Sequence, residues 1–204
     1  MNRIFLLSPA RANGCRAQLL TRPQASFELA RRVQIGDASI GEVFAFCSGL
    51  YFRGKLAYAT RFARVPAGTP GVLIITPSRG VIPADTPIGL AELNEFSAIA
   101  VDALEPRFVA PLQATATALA LDSTCEIVLL GSVATGKYVE PLLPVFGERL
   151  LFPAEFIGRG DMSRGALLLR SAASGRELEY LPVQGTTRST RRAANVAMPK
   201  PLRN

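Results

Sequence analysis

Histidine is absent from all 204 residues. That gap removes Ser-His-Asp and Cys-His nucleophile activation, imidazole acid–base chemistry and His-ligated zinc from what this chain can do alone. Cysteine is scarce. Cys15, Cys47 and Cys125 are far apart, odd in number and without a C-x-x-C partner, which argues against a disulfide framework and a structural zinc site and fits a reducing cytoplasm. No apolar run reaches the roughly 18 residues of a membrane span, so no membrane partner is expected. The first segment, Met1 to Pro9, offers only Ile4 to Leu7 as consecutive apolar residues before Ser8 and reads as a first strand rather than a signal peptide. Acidic residues are missing from Thr186 to Asn204, a tail holding Arg188, Arg191, Arg192, Lys200 and Arg203. Setting these five cations aside lowers the formal net charge from +7 to +2, so the high pI does not by itself imply a DNA-binding face.

What is present is a hydrophobic content of 49% distributed in short strand-like and helix-like segments. Arg3 to Leu7, Val72 to Thr76, Glu126 to Leu130 and Arg149 to Phe152 are continuous apolar runs, as expected for strands buried on both faces of a parallel sheet. Ser39 and Glu42 match a capping box, placing a helix start at Ile40. Apolar spacing from Val43 to Phe62, with a break near Ser48-Gly49, predicts two successive helices. Further helical segments are expected near Ala25 to Val33, between Gly89 and Leu121 with breaks near Pro106 and Pro111, over Lys137 to Phe146 with Gly147 as its stop, and over Asp161 to Ala173 closed by Gly175. Glu177 to Val183 could add a C-terminal edge strand. The fold class predicted is α/β, a three-layer sandwich with a mainly parallel central sheet. Residues 1–185 form one domain and residues 186–204 a basic flexible tail.

In such sheets ligands sit at the carboxyl ends of the strands, where loops converge and helix N-termini present unpaired N–H groups. Four loops are assigned to that edge. They carry Ser8, Arg11 and Gly14; Thr76, Ser78, Arg79 and Gly80; Gly131, Ser132 and Thr135; and Glu155, Gly158, Arg159, Gly160, Asp161, Ser163 and Arg164. Hydroxyls with guanidinium groups suit phosphate, carboxylate or a nucleobase edge. Asp161 is read as a helix cap or a base. The glycines of Gly158 to Gly165 would let a backbone approach a ligand, but the stretch is neither a P-loop nor a dinucleotide fingerprint, and no cofactor is implied. Tyr51-Phe52-Arg53-Gly54-Lys55 places two aromatics beside two cations, a combination that can stack a base while contacting a phosphate; the plainer reading makes Phe52 core and leaves Arg53 and Lys55 solvated.

Leu7-Ser8, Leu50-Tyr51-Phe52-Arg53 with Ala57-Tyr58-Ala59, Thr76-Pro77-Ser78-Arg79-Gly80-Val81, Gly131 and Tyr138-Val-Glu-Pro-Leu-Leu143 together resemble an uncharacterised bacterial family of small α/β proteins. That family is related in fold to the uracil-DNA glycosylase-like superfamily and to a domain of archaeosine-type tRNA-modifying enzymes. The resemblance spans most of Arg3 to Leu169. It departs where Ser78 stands at a position the family fills with a basic residue and Arg79 at one it fills with His. It implies a nucleobase-sized pocket rather than base excision.

The expectation is a protein binding a nucleotide, nucleobase or similar anion, with Ser8, Arg11, Tyr51, Arg53, Thr76, Ser78, Arg79, Gly131, Ser132 and Arg159 as ligand-binding residues. As an enzyme it would be a hydrolase or a glycosyl-transfer catalyst with Asp161 or Glu155 as base. The alternative is a non-catalytic nucleic-acid-binding module that uses the basic tail.

Overall fold

The structure, a computed structural model, describes residues 2–185. Residues 186–204 lie outside the described residues, and with them the expected flexible tail and its nucleic-acid contact. From the amino end, β1 (Arg3–Leu7) leads through α1 (Cys15–Thr21), α2 (Glu28–Gln34), the two-residue β2 (Ala38–Ser39), α3 (Ile40–Ser48) and α4 (Leu50–Phe62) to β3 (Val72–Ile75). A hairpin to β4 (Val81–Pro83) is followed by β5 (Pro87–Ile88), α5 (Leu90–Ser97) and α6 (Pro106–Asp122), which deliver the chain to β6 (Glu126–Leu130). Then α7 (Gly136–Phe146) returns to β7 (Leu150–Pro153), and α8 (Asp161–Ser174) to β8 (Tyr180–Pro182).

The six-stranded sheet has the order β4-β3-β1-β6-β7-β8. Its inner four strands run parallel, and β4 and β8 pair antiparallel at the two edges. The four inner strands are the aliphatic runs seen in the sequence, and β1 shows why they read as continuous: Ile4, Phe5, Leu6 and Leu7 are all fully buried, so both faces of the strand meet helices. The step from β1 to β3 goes one way across the sheet, and those from β3 to β6 and from β6 to β7 go the other. Right-handed crossovers therefore place α4 on one face and α6 with α7 on the opposite face. Helix packing agrees, with α4 against α8 on one side and α6 against α7 on the other. The result is a three-layer α/β sandwich whose strand order reverses beside β1. Among the described residues no helix is long and apolar enough to cross a membrane.

Local chemistry explains most boundaries. The capping box forms as spaced: Glu42 N–H donates to Ser39 Oγ at 3.3 Å, and Ser39 N–H donates to Glu42 Oε2 at 3.2 Å. Gly49 (φ 66°) separates α3 from α4. The α4–α8 contact requires two glycines, because a Cβ on Gly54 would lie 2.6 Å from the Gly165 carbonyl oxygen and a Cβ on Gly165 would lie 2.8 Å from Tyr51 Cα.

Several expectations are corrected. Pro106 does begin a helix, at the position where a missing N–H costs least, but Pro111 lies inside α6 without ending it. The carbonyl that Pro111 leaves without its helical donor belongs to Arg107, an exposed residue in the first turn that water can reach. Helix α1 lies in a stretch for which no helix was expected. The exit loop after β3 turns straight back into β4 instead of crossing over, through Gly80 at φ 64°, where a Cβ would stand 2.3 Å from the Pro111 oxygen. Gly160, not Asp161, is the N-cap of α8. Gly165 serves helix packing, not approach to a ligand.

Candidate functional site

Reversal of the strand order opens a crevice between the exit loops of β1 and β6, the position where open α/β sheets gather ligands. A cavity of about 590 Å³ occupies it, bordered by the loop Ser8 to Gly14, by Ser132 and Lys137 beyond β6, and by Tyr51 and Lys55 of α4.

Lys55 forms the floor. Its side chain projects from the same face of α4 as Tyr51, Phe52, Tyr58, Ala59 and Phe62, all buried, at spacings that put them on one stripe of a helix. Phe5 of β1 meets the Tyr58 ring edge-on at 5.7 Å, so α4 lies directly against β1. The stripe therefore carries Lys55 beneath the end of that strand. Lys55 is 1% exposed. Its Nζ donates to the Ser8 carbonyl oxygen and, at 2.8 Å, to Ser8 Oγ. The rings of Tyr51 and Phe52 flank it at 4.6 and 4.7 Å. Among the described residues it has no ion-pair partner. Burial pulls its pKa down to about 7; the negative charge of Asp161 works against that shift and the positive charge of Lys137 adds to it.

Ser8 is 6% exposed at the carboxyl end of β1. Its Oγ lies 3.2 Å from the Leu130 carbonyl oxygen, to which it donates. Gly131 presses against it from β6: a Cβ there would lie 3.0 Å from Ser8 Cβ. Above the pair stand two buried phenols. Tyr51 is raised to about 12 by burial, an effect reinforced by Asp161 and opposed by the charge of Arg164 and by a hydrogen bond from it. Its Oη is shut off from solvent. Tyr138 is likewise raised, first by burial and then by Tyr51, while the Ser8 hydroxyl partly offsets the rise. Both phenols are therefore protonated donors at neutral pH. Lys137, in the first turn of α7, has its Nζ 5.1 Å from the centre of the Tyr138 ring, and Asp161 at the start of α8 completes the rim.

Of the residues singled out from sequence, Ser8, Arg11, Tyr51, Ser132 and Asp161 border this cavity, and Gly131 packs against Ser8. The others are placed elsewhere. Thr76 Oγ1 donates to the Gly80 oxygen at 2.9 Å and accepts from Arg79 N–H at 2.9 Å, pinning the β3–β4 turn. The Ser78 hydroxyl bonds to Glu95. The Arg79 guanidinium is held by Glu95 at 2.6 Å and Glu92 at 3.3 Å. Arg53 is exposed on α4, outside the buried stripe. Arg159 is exposed and reaches Ser163 Oγ at 3.2 Å. Glu155, in a short turn after β7, has a buried Oε2 with no hydrogen-bond partner, but it does not border the cavity. Asp161 has a side chain 71% exposed and lies 3.6 Å from Arg164.

The sequence offers Lys55 either as a phosphate contact beside stacking aromatics or as a solvated cation, and neither reading has it buried; Lys137 reads only as the start of a helix. For Lys55 a signal existed, because its spacing from Tyr51, Phe52, Tyr58 and Ala59 already puts it in the middle of the apolar stripe. For Lys137 nothing in the sequence says which way the side chain points. Among the described residues, no group of three or more Cys, Asp or Glu side chains could hold a metal ion. Comparison with protein-family models, curated proteins and solved structures gave no match.

Proposed function

We propose that the protein binds a small anionic ligand of the nucleotide or nucleobase class in the crevice between β1 and β6. Lys55, Lys137 and Arg11 supply the positive wall, and Ser132 and Tyr51 supply uncharged hydrogen-bonding groups. The supporting observation is Lys55 itself, an amine 1% exposed and without an ion-pair partner beneath an open cavity. A buried ammonium is costly unless an anion compensates it. A bound phosphate or carboxylate would be that anion. The first turn of α7 offers unpaired N–H groups beside Lys137, and the cavity volume falls within the roughly 300–1,000 Å³ of small-molecule sites. Asp161 on the rim favours a ligand with N–H or hydroxyl donors as well as negative charge, as a nucleobase or a ribose presents.

Because burial lowers the Lys55 pKa to about 7, anion binding raises it and takes up a proton at and above neutral pH. Titration calorimetry of the full chain with nucleoside monophosphates, free nucleobases and sodium sulfate tests the reading. Binding is expected to weaken as pH rises above about 7 and to be lost in Lys55→Met. Failure of all three ligand types to bind, or binding left intact in Lys55→Met, overturns it.

A further inference from the structure

We propose that Ser8 and Lys55 form a nucleophile and general-base pair, making the protein a serine hydrolase for an ester whose acyl group carries a negative charge. The inference rests on the ligand pocket proposed above and adds a reaction to it. Hydroxyl and amine stand 2.8 Å apart at the cavity floor, within the reach at which a base takes a proton directly. Ser–Lys pairs recur as a histidine-free version of the triad logic, and this chain has no histidine to offer. With its pKa pulled down to about 7 by burial, the amine has a neutral form within reach near neutral pH, whereas an ordinary lysine would be almost wholly charged and useless as a base.

The remaining parts are in place. The Ser8 hydroxyl donates to the Leu130 carbonyl oxygen while it accepts from Lys55; with the amine neutral, the hydroxyl turns to donate to Nζ, and Lys55 keeps its orientation through its bond to the Ser8 carbonyl oxygen. Tyr51 Oη is buried beside the cavity, accepts from Arg164 rather than donating, and stays protonated near neutrality, which leaves its proton for an oxyanion. Lys137 and Arg11 line the same space and would seat the acyl group's negative charge in place of Lys55, which must stay neutral to act as base because an anion in contact with it raises its pKa.

In the reaction, Ser8 Oγ bonds to the ester carbonyl carbon as its proton passes to the neutral Lys55 amine, and the carbonyl electron pair moves onto oxygen, facing Tyr51 Oη. Collapse of this intermediate breaks the bond to the leaving alkoxide, which takes the proton from Lys55. Water then attacks the acyl-Ser8 ester and gives a proton to Lys55. The Ser8 oxygen departs with that proton, leaving a carboxylic acid, an alcohol and the starting enzyme.

Intact-mass spectrometry of the full chain treated with a fluorophosphonate probe, followed by peptide mapping, tests the pair. Labelling is expected at Ser8, with a rate rising about tenfold as pH increases from one unit below 7 to well above it. Ser8→Ala should remove the label while retaining sulfate binding. Lys55→Arg keeps the positive charge but cannot act as a base, and should abolish labelling. Tyr51→Phe should slow hydrolysis of the nitrophenyl half-ester of succinate by about 100-fold, leaving the melting temperature near that of the native chain. If Lys55→Arg does not fold, Ser8→Ala and the pH profile still decide. No adduct, an adduct at another residue, or a rate independent of pH overturns the proposal even where sulfate binds; labelling of Ser8 without sulfate binding overturns only the anion reading.

Discussion

The two ends of β1 treat a cation withdrawn from water in opposite ways. At the amino end, the Arg3 guanidinium meets Glu126 at 2.6 Å and Glu177 at 2.5 Å and lies 4.6 Å from the centre of the Tyr180 ring, while Arg64 reaches the other oxygen of Glu177 at 2.9 Å. Desolvation lowers the Arg3 pKa, but the bonds and charges of the two glutamates outweigh it and the net shift is upward. At the carboxyl end, Lys55 is buried more deeply and has no carboxylate bonded to it. A cation met by two anions holds strands together. One left uncompensated over a cavity is poised to bind or to react.

The largest expected effect comes from breaking the paired end. Glu177→Ala strips Arg3 of one carboxylate, Arg64 of its partner and the Tyr180 hydroxyl of an acceptor, and should cost about 3 kcal/mol, read as a lower urea midpoint. Next is a disturbance of the unpaired end from behind. Gly54→Ala drives a methyl into the Gly165 oxygen, costing about 2 kcal/mol, and should separate α4 from α8 enough to wet Lys55. Stability in urea falls, and the pH dependence described next should shrink with it.

Removing the unpaired charge should do the opposite of breaking the paired one. Lys55→Met is expected to raise stability by about 2 kcal/mol near pH 6, where the native amine is charged and buried. The sign follows from linkage. The folded pKa of about 7 lies below the unfolded value of about 10.4, so between them the unfolded chain binds more protons. Native stability therefore rises with pH across that interval. The advantage of Lys55→Met should fade over the same range, a trend that denaturation midpoints of the two proteins at matched pH would reveal. A constant difference would mean that Lys55 is not buried as described. The smallest effect is expected at a paired surface cation: Arg79→Ala should change stability by less than about 1 kcal/mol and leave sulfate binding unaltered, since Glu92 and Glu95 already occupy that guanidinium.

Legibility of the fold and of the site differed for a physical reason. Strands β1, β3, β6 and β7 announce themselves as aliphatic runs, and the start of α3 is fixed by a side-chain bond spanning three residues. The stops at Gly147 and Gly175 follow from positive φ. All of these act within a few residues. Pro111 misled because whether a proline ends a helix depends on what can satisfy the freed carbonyl. Arg79 misled because its acidic partners come from α5, a helix whose docking the loop sequence does not encode.

Sequence alone determined the α/β class, the parallel inner strands, the edge to which Ser8 and Ser132 belong, and the exclusion of histidine chemistry. Tertiary structure decided which cations are neutralised and which are not. Ser8 and Lys55 are 47 residues apart, and only the right-handed return of α4 against β1 brings amine to hydroxyl. The electrostatics of each cation depend on its distance to charges and to water, and those distances exist only once the layers have packed.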